Sequence, residues 1–273
     1  MVFHWGVAGA AWATIIGQAL NAVIYICYLF RMKTVKLNKK IFFKSFAYFF
    51  RVTKLGLSSF INQILVVIII GVQNNLLKEY GALSDYGAEI PMTALGVTMK
   101  LFNIVMAVLI GLSGGSQPIW GYNYGSGRRD RVKKTFIYSS LVGTIVMVVI
   151  FAIFQLFPEP VISIFGNEDA LYTDFSVKCL KIYLLALPLF ALRMMIASLF
   201  QAVGKPYLAA ILSLSKQIFI QLPAMIILSS VMGVEGVLWA GPISDILSVL
   251  LAVITLVCVG KSIFTVTKKE EGK

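Results

Sequence analysis

Three charged side chains stand inside strongly apolar stretches of this sequence: Lys100, Arg193 and Asp245. A charge at the centre of a membrane helix costs roughly 2.5 to 3.5 kcal/mol on insertion scales, so such residues are retained for pairing or for function. Lys100 lies nine residues after Pro91, and Asp245 nine after Gly236. Their matched depths predict either a salt bridge between their two helices or an ion-coupling or substrate-gating site. Arg193 sits about two turns from a helix end and is read as snorkelling. The amides Asn62, Gln63, Gln73 and Asn74 occupy one further apolar stretch. They either bond a neighbouring helix or face a substrate. Other chemistry is poorly provided for. His4 is the single histidine, which excludes a histidine pair or triad. Cys27, Cys179 and Cys258 form no CxxC pair, so no zinc or redox motif exists, and they are read as packing residues. With no paired acids and no nucleophile elbow, neither an enzyme nor a bound cofactor is expected.

These residues need helices to position them. The chain is 59% hydrophobic and 13% charged, with a mean hydropathy of +0.87. Soluble domains carry about 25% charged residues. Backbone in lipid must bond internally, so the expected fold is an all-α polytopic membrane protein of about seven spans. Apolar periodic runs place them at 6–30, 55–77, 91–110, 135–157, 172–201, 207–231 and 236–260. The fifth is one long helix kinked at Pro188. A short surface helix is expected in the loop after Phe157. The aromatic and basic residues of 34–54 fit either an interfacial amphipathic helix or an extension of the second span. The net charge of +12 does not indicate nucleic acid. Segments 31–54, 121–134, 201–217 and 261–273 hold 19 of the 24 basic residues, while the opposite loops are acidic. This is the positive-inside pattern, which sets those segments in the cytoplasm.

One stretch joins two of the spans and carries a motif. Residues 111–134 read GLSGGSQPIWGYNYGSGRRDRVKK. Its glycines with Pro118 are expected to end a helix. The basic cluster after it marks a cytoplasmic hairpin. A phosphate cradle is excluded, because the third glycine of a dinucleotide fingerprint and the Gly-Lys-Ser/Thr of a P-loop are both missing. QPIWGYNYGSGRRDRV, containing Gln117, Pro118, Gly121, Asn123, Tyr124, Gly125 and Arg131, resembles the signature ending the eighth helix of multidrug and toxic compound extrusion (MATE) transporters. Three other segments are similar to that family in order and spacing: 80–100, with its MepA-type branch, 200–217 and 233–245.

An internal repeat agrees with the resemblance. GVAGAAWATIIGQ at 6–18 aligns with GVEGVLWAGPISD at 233–245 at six of thirteen positions, including Trp12 with Trp239. Parallel repeats are typical of two-lobed transporters. The resemblance implies twelve helices in two bundles. On that plan, 1–33 is the last helix of the first bundle, 34–54 a basic connector, 55–261 the second bundle and 262–273 a cytoplasmic tail. A missing N-terminal bundle, in cis or as a second chain, would complete it. The implied function is a secondary antiporter in the bacterial plasma membrane, exporting amphipathic or cationic drugs by using a proton or sodium gradient. Some branches carry a glutamate and an aspartate in the helices matching the second and fifth spans. Here Asn62 and Gln63 occupy the first, and the membrane part of the second has no acid, so a sodium site of that type is not expected. A lipid-linked saccharide flippase, and more distantly a seven-helix receptor, are the alternative readings.

Overall fold

The computed structural model describes residues 6–31, 46–166 and 169–264. Among them every regular element is a helix. The order is α1 (Gly6–Arg31), α2 (Phe46–Ala82), α3 (Glu89–Gly125), α4 (Arg129–Leu156), α5 (Pro158–Ser163), α6 (Ala170–Tyr183) and α7 (Leu187–Ala202). Then follow α8 (Pro206–Ser215), a π-helical turn (Lys216–Gln221), α9 (Leu222–Met232) and α10 (Val234–Phe264). The chain divides into two units, 1–56 and 57–273. The first holds α1 and the start of α2. Along α1 the apolar side chains Trp12, Ile15, Leu20 and Ile24 are exposed.

The second unit is a helical bundle built around α7. This helix packs against α3, α4, α8 and α10. Its buried residues Phe190, Ala191, Met195, Ile196, Leu199 and Phe200 recur at helical spacing and fill the middle of the core. Around them stand Leu109 and Trp120 from α3, Val132, Phe136 and Met147 from α4, and Val237 and Leu238 from α10. The outward faces stay apolar: Ile104, Ile145, Val149, Ile211 and Val257 are all exposed. An apolar surface around an apolar core is what a bilayer solvates. Among the described residues six helical segments are long and apolar enough to cross a membrane, or seven if the bent α6–α7 pair counts as one span.

Several boundaries depart from expectation. Pro118 does not end its helix; α3 runs on to Gly125. Pro118 and Gly114, whose carbonyl loses its helical donor, both lie on an exposed face. The turn comes later, at Gly127, whose φ of 73° suits glycine alone. There the Arg128 amide donates to the Asn123 carbonyl at 2.9 Å. The basic cluster is not a loop: Arg128 precedes α4 as its N-cap residue, and Arg129, Arg131, Lys133 and Lys134 stand in its first two turns. The fifth span is two helices meeting at 43° across Leu184–Ala186, where Pro188 sits in the first turn of α7 rather than mid-helix. The sixth is interrupted by the π turn. Residues 46–54 continue into α2, as the extension reading has it. The rest of the connector, His4 and most of the tail lie outside the described residues. The short helix after Phe157 is α5. Of the cysteines only Cys179 packs inside; Cys27 and Cys258 are exposed.

Candidate functional site

A cavity of about 640 Å³ opens between α2, α3, α6, α7, the α8–π segment and α10. Helical stripes build its walls. From α2 come Val66, Ile69, Ile70, Gln73 and Asn74; from α3 come Met92, Leu95, Gly96, Met99, Phe102 and Asn103. Both sets repeat every three or four residues, so each is one face of a helix. Phe190 and Arg193 enter from α7, Tyr183 from α6, and Gly241 and Asp245, one turn apart, from α10.

The fourth wall comes from the broken helix. Pro223 has no N–H, so the carbonyl of Phe219 loses its α-helical donor, and the chain widens to an i→i+5 turn just before it. In an α-helix Lys216 and Gln221 would stand about 140° apart. The wider turn stacks them, and Lys216, Gln217 and Gln221 all line the cavity together with Ser213. Such π turns are frequent at functional sites.

The centre of the cavity is an ion pair. Lys216 Nζ donates to Asp245 Oδ1 at 2.5 Å, with side-chain exposures of 14% and 16%. The ion pair proposed from matched depth, Lys100 with Asp245, is therefore not formed. Lys100 lies about 100° round α3 from the cavity-facing Met99 and is exposed. Lys216 also corrects the charge map: it stands ten residues inside the span that begins at Pro206, about 15 Å along the helix, and not at its basic end.

Beside the pair, Phe190 presents its ring to two cations. The Arg193 guanidinium lies 4.3 Å from the ring centroid and Lys216 Nζ 5.6 Å. Phe102 meets the same ring edge-on at 5.5 Å. Arg193 does not snorkel: its Nε is buried and without a hydrogen-bond partner. Of the four amides, Gln73 is buried and lines the cavity together with Tyr183. Asn74 lines the cavity and is exposed. Asn62 accepts from Ser213 Oγ at 2.6 Å and Gln217 Nε2 at 2.9 Å, tying α2 to the broken helix. Gln63 is exposed and is not part of this cavity's lining.

A second cavity of about 380 Å³ lies further along the same groove. Its α3 wall continues the stripe through Met106, Ile110, Ser113, Gly114 and Gln117, and its α7 wall through Met194, Ala197, Ser198 and Gln201. Phe190 and Arg193 border both cavities. Gln117 is thus the motif residue that faces the groove. The others shape the hairpin. Asn123 Nδ2 donates back to the Ile119 carbonyl at 2.8 Å, and Arg129 lies 3.5 Å over the Tyr124 ring. Gly121 approaches the Ala202 carbonyl, Gly125 ends α3 and Arg131 is exposed.

At the end opposite the basic hairpin, Lys178 pairs with Glu235 at 2.6 Å, and the Tyr86 hydroxyl donates to Asp174 at 3.1 Å. Burial, with the Asp174 hydrogen bond, raises the Tyr86 phenol above its ordinary pKa, so it remains a donor.

The MatE family profile matches residues 82–227, which is 146 of 273 positions and just over half of the chain. The chain belongs to the MatE family. The match takes in all of α3 to α8, the motif and the π turn. Multidrug export protein MepA of Staphylococcus aureus (strain MRSA252) is 26% identical over 262 residues, covering 92% of this chain and 54% of that protein. A FAD transporter of Shewanella oneidensis is 23% identical over 160 residues, covering 57% of this chain and 34% of that one. Among solved structures, the MATE multidrug transporter DinF-BH in complex with R6G superposes with a TM-score of 0.75 at 30% identity, over 97% of this chain and 58% of that one. A MOP superfamily transporter from Pyrococcus furiosus gives 0.75 at 17% identity, over 94% and 58%. This MatE chain therefore spans a little over half the length of the MepA proteins and transporter structures it matches.

Proposed function

We propose that this chain forms one lobe of a secondary multidrug antiporter in the bacterial plasma membrane, moving amphipathic molecules outward in exchange for protons or sodium. A second bundle, in cis or from another chain, closes the cavity, and the two lobes rock to expose it alternately. Membership of the MatE family and the likeness to multidrug exporters support the class. One observation carries the mechanism: a carboxylate, Asp245, held by Lys216 inside a cavity large enough for a drug. An ion that loads Asp245 competes with Lys216. Loading therefore releases the α8–π segment from α10, and unloading draws them together. That supplies the differential interaction between two states which coupling requires.

The test uses proteoliposomes carrying both bundles, with an imposed pH or sodium gradient. Efflux should follow one of the two gradients. The Lys216→Met/Asp245→Asn double variant, which removes both charges, should fold and lose gradient dependence. Gradient-driven efflux that survives in it would remove Asp245 from the coupling step.

Sidedness follows from the basic hairpin. A cysteine placed at Ser126 should react with impermeant maleimide only when the cytoplasmic face is open, and one at Ser84 in intact cells. The reverse labelling would invert the transport direction proposed here.

A further inference from the structure

We propose that Arg193 is an oxyanion-binding residue in this groove, and that the preferred ligand is an aromatic amphiphile carrying one carboxylate, sulfonate or phosphate. This rests on the transport reading above and specifies its substrate class. Three observations combine. First, the charges lining the larger cavity are Arg193, Lys216 and Asp245, which leaves one positive charge unbalanced. Second, Asp245 is taken up by Lys216 at 2.5 Å, whereas Arg193 has a buried Nε with no hydrogen-bond partner and, among the described residues, no ion pair. A buried guanidinium N–H without an acceptor is costly, and an oxyanion entering the groove relieves that cost while pairing with the fork. Third, Arg193 stacks on Phe190, which meets Phe102 edge-on, so a planar apolar body finds aromatic surface next to the cationic fork.

Its position adds a role. Arg193 and Phe190 border both the 640 Å³ and the 380 Å³ cavities. They lie where a ligand passing along the α3 and α7 stripes must cross. An arginine there can hold the anionic group from either side while the apolar body moves.

Fluorescein and rhodamine 6G share a xanthene core and differ in charge, so they isolate this effect. Binding to purified protein in phosphatidylcholine nanodiscs, followed by fluorescence anisotropy, should favour fluorescein. Arg193→Gln should lower the fluorescein-to-rhodamine affinity ratio by roughly tenfold to a hundredfold, the range of a charge-assisted hydrogen bond. Arg193→Lys keeps the charge and loses the fork, and should fall between the two. It also serves if the glutamine variant does not fold. An unchanged ratio in the lysine variant, together with either an unchanged ratio or no folded protein for the glutamine variant, overturns the proposal. A wild-type preference for rhodamine does the same. Displacement of fluorescein by phosphatidylglycerol, but not by phosphatidylcholine, would assign the subsite to lipid phosphate and overturn the small-molecule reading. Because binding is read without a gradient, failure of antiport leaves this result standing, and the converse holds.

Discussion

Asp245→Asn and Lys216→Met should each lower thermal stability, and the double variant should recover part of the loss. Each single change strands a charge that is about six-sevenths buried. Breaking a fully buried pair typically costs 3 to 5 kcal/mol, so about 3 kcal/mol is reasonable beside an open cavity. The two singles should not be equal. Without Lys216, Asp245 still has Arg193 as a cationic neighbour, since both line the cavity and both cations contact the Phe190 ring. Without Asp245, Lys216 and Arg193 both stand against that ring with no acidic residue lining the cavity. Asp245→Asn should therefore be the more damaging. Melting of the four proteins in one detergent gives the cycle. A coupling below about 0.5 kcal/mol would mean the pair contributes nothing beyond its separate members. Equal losses in the two singles would mean that Arg193 does not sense Asp245.

What the sequence revealed here, and what it hid, follows from how each feature is encoded. Spans are encoded by long apolar runs, and those runs gave the membrane class and most helix positions directly. The cavity is encoded by azimuth, which needs a stripe and not a single charge. Lys100 attracted notice as an isolated cation, but the stripe on α3 passes through Met92, Gly96, Met99 and Asn103, and continues to Gln117. Lys100 is off it. Asn103 and Gln117, both polar on an apolar helix at fourteen residues' separation, were the legible signal. Lys216 was hidden for another reason. Counted with Lys205 as part of a basic loop, it looked like topology. Yet the apolar run at 207–231 already holds Lys216 nine residues inside a span, and α8 begins only one residue earlier, at Pro206. The π turn could not be read at all, although Pro223 marks where a carbonyl must find another partner. Of the two roles open to an amide such as Asn62, bonding a neighbouring helix or facing a substrate, its bonds to Ser213 and Gln217 fit the first.

Gly236→Ala should be among the most damaging single-methyl changes in the bundle. It sits where α9 turns into α10 through one residue, Gly233, whose φ of 63° favours glycine. The two helices then run back against each other in close contact. A Cβ built on Gly236 falls 2.0 Å from the Leu228 carbonyl oxygen and 2.7 Å from the Ser229 nitrogen. Both are backbone atoms of α9, so no side chain can rotate away, and one helix must move as a body. Inserted methyl groups in packed interiors commonly cost about 1 to 3 kcal/mol, and a backbone obstacle places this one at the upper end. Gly241→Ala is the informative contrast. Its Cβ would lie 3.1 Å from the Tyr183 ring, a side chain that borders the cavity and can yield into it. Gly71→Ala, with nothing within 4 Å, should be neutral or slightly stabilising because alanine is the better helix former. The order of melting temperatures should be Gly71→Ala, then Gly241→Ala, then Gly236→Ala. The last should also disturb the site, since Asp245 lies nine residues further along α10, about 13 Å, on the same helix. A Gly236→Ala protein that melts with the wild type would show that α9 and α10 do not cross this closely.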